Sequence, residues 1–342
     1  MLFQIFLVLQ FIPMIWTAHQ PPTLVLVPGA WHSPSHYSLL LAEIEKAGYP
    51  TSSARSPSCG STDPYSQSVI GDAAFIRQNL LLPLINAGKD IVLVMHSYGG
   101  CPGAMAAKGL SKAEMPAASR KGGIIGLIFI CAFVAQEGQS LIGSLPGKKL
   151  DPWVVDYGDG QLGLRDAKNV FYNDVSPQLA SQAIIQLKNQ SQNALETPSG
   201  PPAWSDSFYN GRRAYVVCTE DQAVPPIGQQ LMIQHSGVKW DVANIPTGHS
   251  PFLSQPGSLA AYIMAEVAKF QGGASNPNQM LSISNTTEIP LGSAESSEPP
   301  NSALFSTVAV PSNLAAESGI ASFSMGMESS NLIALLDLPA DS

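Results

Sequence analysis

Three residues of this chain are of types that do covalent chemistry together, and each follows an apolar run. Ser97 stands in VLVMHSYGGCPG (92–103), Asp221 in AYVVCTEDQAVP (214–225) and His249 in NIPTGHSPFL (244–253). A serine hydroxyl is a weak nucleophile at neutral pH and needs a base to take its proton. An imidazole base in turn needs an acid to fix its tautomer and to stabilise the imidazolium. The pattern assigns Ser97 as nucleophile, His249 as base and Asp221 as acid. Glu220 is the rival carboxylate. Asp221 is preferred because it lies farther from the strand and precedes the Val-Pro that opens the next helix. His96 adjoins the serine on a tight turn and points away from it, so it is read as structural.

The turn at Ser97 resembles the strand–turn–helix motif G-x-S-x-G, with Met95 where the first glycine should be. A tetrahedral intermediate needs N–H donors aimed at its oxyanion. One is assigned to Tyr98, directly after the nucleophile. The other comes from VPGAWH (27–32), where Gly29 permits a tight turn and Ala30 or Trp31 can point an N–H inward; Ala30 is the choice. Trp31, His32 and His36 are candidates for lining the pocket.

Several elements must position these residues. TLVLV (23–27), 90–95, 124–133, 214–218 and 238–245 are apolar runs that read as buried strands. Between them lie helical patterns over 37–47, 69–86 (kinked near Pro83), 103–110, 227–235 and 258–270, while 51–65 reads as a loop. Strands alternating with helices at this spacing predict βαβ units in a doubly wound, mostly parallel sheet. Sites in such sheets gather at the C-terminal ends of the strands. The expected layout is an apolar segment at 1–19, a core at 20–134 and 211–270, a helical cap insertion at 135–210, and a disordered tail at 271–342 that is rich in serine and acid.

The formal charge of −8 falls almost wholly on that tail, which leaves residues 1–270 near neutral. Nucleic acid is thereby disfavoured as a partner and a small-molecule substrate expected. Leu2–Trp16 is too short for a comfortable membrane span. It fits either a secretory signal or anchor, or an apolar extension on an intracellular enzyme, so the compartment stays open. Asn189 and Asn285 are glycosylation candidates on the secretory branch alone. The four cysteines show no C-x-x-C spacing and read as buried free thiols; no metal is expected. No Walker or dinucleotide fingerprint occurs, and the oxygen ligands of DYGDGQLGLRD (156–166) do not fall at calcium-loop positions 1, 3 and 5 together, so no cofactor is expected.

The ordered segments resemble the α/β-hydrolase superfamily, and within it the plant methylesterase and hydroxynitrile lyase branch. LVLVPGAWH is similar to that branch's oxyanion loop, VLVMHSYGG to its elbow, IFICAF to the strand leading into the cap, and YVVCTEDQAVP with GHSPFLSQP to its acid and histidine segments. The resemblance spans about residues 23–270. It implies the same fold and the same triad, with Ala30 and Tyr98 as oxyanion donors. Pro28 replaces a histidine of the branch. Ala30 and Ser250 stand where its lyases carry Thr and Lys, so the resemblance favours ester hydrolysis over cyanohydrin cleavage. The expectation is a serine hydrolase acting on a small, largely apolar ester or lactone. A lyase, decarboxylase or cyclase of secondary metabolism on the same fold, or a weakly catalytic binding protein, are the alternatives.

Overall fold

A computed structural model describes residues 20–114 and 122–272. The expectations for the N-terminal apolar segment, the Asn285 site and nearly all of the tail lie outside these residues. The main sheet contains β1 (Thr23–Val27), β2 (Thr51–Ser53), β3 (Asp90–His96), β4 (Gly123–Ile130), β8 (Arg213–Cys218) and β9 (Asp241–Ile245), in the order β2-β1-β3-β4-β8-β9. Every pairing in it is parallel. A second sheet, antiparallel, joins β5 (Val154–Asp156), β6 (Gln161–Leu164) and β7 (Gln190–Ser191). The helices are α1 (Ser38–Lys46), α2 (Val69–Ile76), α3 (Leu82–Asn86), α4 (Gly100–Ala106), α5 (Leu141–Ser144), α6 (Ala167–Phe171), α7 (Pro177–Gln186), α8 (Gln192–Glu196), α9 (Pro226–His235), α10 (Pro251–Ser254) and α11 (Pro256–Phe270).

The apolar runs of β1, β3, β4 and β8 are buried, and the period of two divides them between two cores, whereas β9, expected as a buried strand over 238–245, is a largely exposed edge strand. Leu24, Leu26, Val92, Val94, Ile128 and Ile130 pack on one face with Leu40 and Ile44 of α1 and Ile263 and Val267 of α11. Val25, Val27, Leu93, Met95, Leu127 and Phe129 pack on the other with Ala73 and Ile76 of α2 and Ala104 of α4. Register then does the positioning. Val27 pairs with Met95, His96 with Ile130, Ile130 with Val216, and Cys218 with Ile245. The strand ends are therefore level, and the loops after β1, β3, β8 and β9 emerge along one edge.

Three further local readings change. Residues 51–53, expected in a loop, form the edge strand β2, too short to show a pattern of its own. The helix expected over 69–86 is broken by a π-helical stretch at Arg77–Leu81 ahead of Pro83, which has no N–H to close a regular turn. The insertion at 135–210 holds short helices as expected and also the antiparallel sheet. Its strands β5 and β7 are three and two residues long, beneath the reach of periodicity.

Met95 is fully buried at the end of β3. The space for its side chain comes from α4. A Cβ placed on Gly103 would meet Met95 Cγ at 2.7 Å and Sδ at 2.8 Å. The glycine absent from the elbow is thus matched by a glycine on the following helix. Met95→Ala is expected to cost about 2–5 kcal/mol in folding stability through the cavity it leaves. Urea unfolding read by fluorescence measures this, and an unchanged midpoint would refute the packing role.

Candidate active site

Ser97 directly follows β3 and has a φ of +53°, a left-handed conformation that non-glycine residues adopt at a cost. The turn lifts the Oγ out of the strand line toward His249. The close approach of the neighbouring loop depends on Gly29, where a Cβ would lie 2.9 Å from both His96 Nδ1 and Ser97 Cβ. His249, on the loop after β9, places Nε2 3.0 Å from Ser97 Oγ and Nδ1 2.8 Å from Asp221 Oδ2. The three side chains are buried.

Asp221 lies in the turn after β8. Its Oδ1 accepts the backbone N–H groups of Ala223 (2.8 Å) and Val224 (2.9 Å). Its Oδ2 also accepts from Gln229 Nε2 (3.2 Å). An acid held by four donors leaves Nδ1 of His249 as the protonated nitrogen and frees Nε2 to accept the serine proton. Glu220 is exposed and makes no such contact.

The two residues expected to supply oxyanion donors, Ala30 and Tyr98, line the same cavity as Ser97. No protein acceptor occupies the N–H of Ala30 or of Tyr98 among the described residues. Trp31, at φ +62°, is committed elsewhere: its N–H donates to Gln190 Oε1 (3.4 Å) and its Nε1–H to the Leu162 carbonyl (2.8 Å). Ala30 is therefore the free amide of that loop.

His96 is structural, as expected. Gly29 N–H donates to the Tyr37 hydroxyl (2.9 Å), which lies 2.8 Å from His96 Nδ1, and His96 Nε2 is 2.9 Å from the His249 carbonyl. The Tyr37 O–H donating to Nδ1 and the Nε2–H donating to the carbonyl satisfy a single neutral tautomer. This relay ties the loop after β1 to the His249 backbone.

His32 and His36, named as pocket candidates, do not line the cavity. They sit behind it and hold backbone. His32 Nδ1 is 2.7 Å from the Ala30 carbonyl and Nε2 is 2.9 Å from the Tyr172 hydroxyl. His36 Nε2 is 3.1 Å from the Ala183 carbonyl. Trp31 does line the cavity.

Burial pushes His32 and His96 well below the ordinary histidine value, with neighbouring histidines adding to the shift, and lowers His36 as well. These groups are neutral in the folded chain, whereas the unfolded chain takes up protons below about pH 6.5. The stability they carry is complete above that value and is lost as the pH falls toward the folded values. Denaturant titrations at pH 7.5 and 5.5 are expected to show this loss, and equal stabilities would contradict it.

His96, Cys131 and His249 place possible metal-ligand atoms within 4.8 Å of one another. Both ring nitrogens of each histidine already hold protein partners, so the cluster offers no free pair of nitrogen donors. All four cysteines are free and buried.

The empty space over Ser97, counted together with its opening to solvent, is about 460 Å³. Its walls are mostly apolar, with Phe133 and Val224 from the core and Leu141, Leu150, Trp153 and Phe171 from the insertion. Phe171 stacks on the His249 ring (centroids 5.2 Å apart, 28° between planes). The residues missed in the sequence belong to the surrounding support. The Tyr98 hydroxyl donates to buried Asp72 (2.7 Å), and Ser58 bonds both Asp72 and Gln190. Gln190 reaches the Trp31 amide in turn, so one buried polar chain links both sides of the oxyanion position. These contacts join positions 14 to 159 residues apart, and no local pattern announces them. The Asn189 site falls in this region, with Gln190 and Ser191 buried in β7.

A parallel sheet that gathers hydroxyl, imidazole and carboxylate at its C-terminal edge, beneath an inserted cap, defines a hydrolase scaffold. Residues 24–262 match the alpha/beta hydrolase family, and the chain belongs to it. It is similar to alpha/beta hydrolase nvfD of Aspergillus novofumigatus, 32% identical over 238 residues, which cover 69% of this chain and 92% of that one. It is also similar to methylesterase 4 of Arabidopsis thaliana, 28% identical over 211 residues, covering 56% and 76%. Among solved structures, an extracellular alpha/beta-hydrolase from a Paenibacillus species shares the fold at 19% identity and a TM-score of 0.56, covering 72% of this chain and 99% of that one. With hydrolases and esterases as its relatives, the chain is a hydrolase. Among the described residues no helix is long and apolar enough to cross a membrane.

Proposed function

We propose that this hydrolase is a cofactor-independent serine esterase that cleaves a small, largely apolar ester or lactone through an acyl-enzyme. The observation that carries the reading is the hydrogen-bonded series Asp221–His249–Ser97 opening into the apolar cavity. His249 Nε2 takes the Ser97 proton as Oγ attacks the carbonyl carbon, and the carbonyl electron pair moves to oxygen facing Ala30 N–H and Tyr98 N–H. Collapse expels the alkoxide, which receives the proton held on Nε2. Water, deprotonated by the same nitrogen, then releases the acid and restores Ser97.

A fluorophosphonate probe is expected to label the full chain once, at Ser97, and a series of p-nitrophenyl esters to show faster turnover of apolar acyl groups. Folded protein that takes no label and turns over none of the esters would refute the reading.

A further inference from the structure

The cavity wall has one feature that ester cleavage leaves unused. Apart from Ser97, His249 and the indoles of Trp31 and Trp153, its polar lining residues among the described residues are Tyr98 and Asp151. The Tyr98 hydroxyl is engaged by Asp72. Asp151 stands in the insertion, just before β5, where its backbone carbonyl accepts from Val154 N–H (3.0 Å). Its carboxylate makes no hydrogen bond or ion pair with the described residues. Leu150, Trp153 and Val154 adjoin it in the wall, and burial raises its pKa.

Asp151 is partly exposed, so its carboxylate keeps access to water in the free chain; a bound substrate that covers it among these aliphatic and aromatic groups removes that water with no return unless it brings a donor. An all-apolar substrate would leave it unmatched on binding, whereas one carrying an N–H or O–H there would satisfy it. We infer, resting on the esterase reading, that Asp151 determines specificity: the substrate is an apolar ester with a hydroxyl or protonated amine remote from the scissile carbonyl, received by Asp151. The triad acts on the ester, and Asp151 sets which ester is held.

The test uses p-nitrophenyl esters of cyclohexanecarboxylic acid bearing a 4-methyl, 4-hydroxymethyl or 4-aminomethyl group. They share one ring and one leaving group and differ in the donor. For the native chain, kcat/KM for the hydroxymethyl or aminomethyl ester is expected to exceed that for the methyl ester by about 10- to 100-fold, with the difference in KM. A preference for the aminomethyl ester identifies a cation, and an equal or greater one for the hydroxymethyl ester a neutral donor. Asp151→Leu should invert the ratio in favour of the methyl ester. Asp151→Asn, close in shape, should keep part of the hydroxymethyl preference and lose that for the ammonium.

Donor-bearing esters no better than the methyl ester in the native chain, or a ratio unmoved by both substitutions, would overturn the inference. If none of the three is turned over, the corresponding methyl esters are titrated calorimetrically into the native and Asp151→Asn chains. Donor-dependent affinity lost on substitution supports Asp151 even as the esterase reading falls, and its absence overturns the inference.

Discussion

Replacing Ser97 with alanine is expected to lower ester turnover by about 10⁴- to 10⁶-fold while the chain stays folded. The loss is this large because, in the proposed mechanism, Oγ is the atom that bonds to the acyl carbon. No other hydroxyl stands within hydrogen-bond reach of His249 Nε2 among the described residues. Binding should survive, since the apolar walls and the Ala30 and Tyr98 amides remain. Alanine also keeps the packing around the turn and removes one oxygen. Turnover of p-nitrophenyl esters with labelling by a fluorophosphonate separates the outcomes: both should vanish in Ser97→Ala. Undiminished hydrolysis by the folded variant would remove Ser97 from the chemistry.

The second large effect is expected at Asp221. In Asp221→Asn the amide oxygen can still accept from Ala223 and Val224, which presents the amide N–H₂ to His249 Nδ1. The imidazole must then accept at Nδ1 and carry its proton on Nε2, the wrong tautomer for taking a proton from Ser97. The expected loss in kcat is about 10⁴-fold, with KM little changed. Glu220→Gln serves as the matched control. Glu220 is exposed, so its substitution should leave kcat within about twofold of the native value. If Glu220→Gln lost activity and Asp221→Asn kept it, the acid would have to be reassigned.

Both predictions rest on residues legible in the chain itself. Ser97, Asp221 and His249 could be found because each terminates an apolar run, and a parallel sheet places all such ends on one edge. The choice of Asp221 over Glu220 was a local inference from the turn. The geometry agrees with it because the backbone amides of Ala223 and Val224 fold back onto the carboxylate. The His32 and His36 assignments went the other way. A histidine in a loop beside the oxyanion position can face the cavity or face inward, and chain spacing does not distinguish these. Here the backbone carbonyls of Ala30 and Ala183 draw both rings behind the wall.

Met95 shows the same division. Its departure from the elbow motif is plain in the sequence, whereas its accommodation depends on Gly103, a turn along the next helix. The insertion was the least legible region, because its strands are two to four residues long and β7 joins β6 only across two intervening helices. Phe171 against His249, Trp153 in the wall and Asp151 near it all come from this part.

By itself, the sequence determined the parallel sheet, the order and identity of the side chains proposed to react, and the near-neutral charge of residues 1–270. Those features are written in local periodicity and in the residues that terminate each strand. Tertiary structure alone decided which groups meet Ser97 at 3.0 Å, which histidines face away, and what kind of cavity stands above the serine. The physical reason is that strand patterns arise from burial along a contiguous segment. A pocket arises from side chains converging from segments far apart, and its polarity is settled by the few groups left without a partner there.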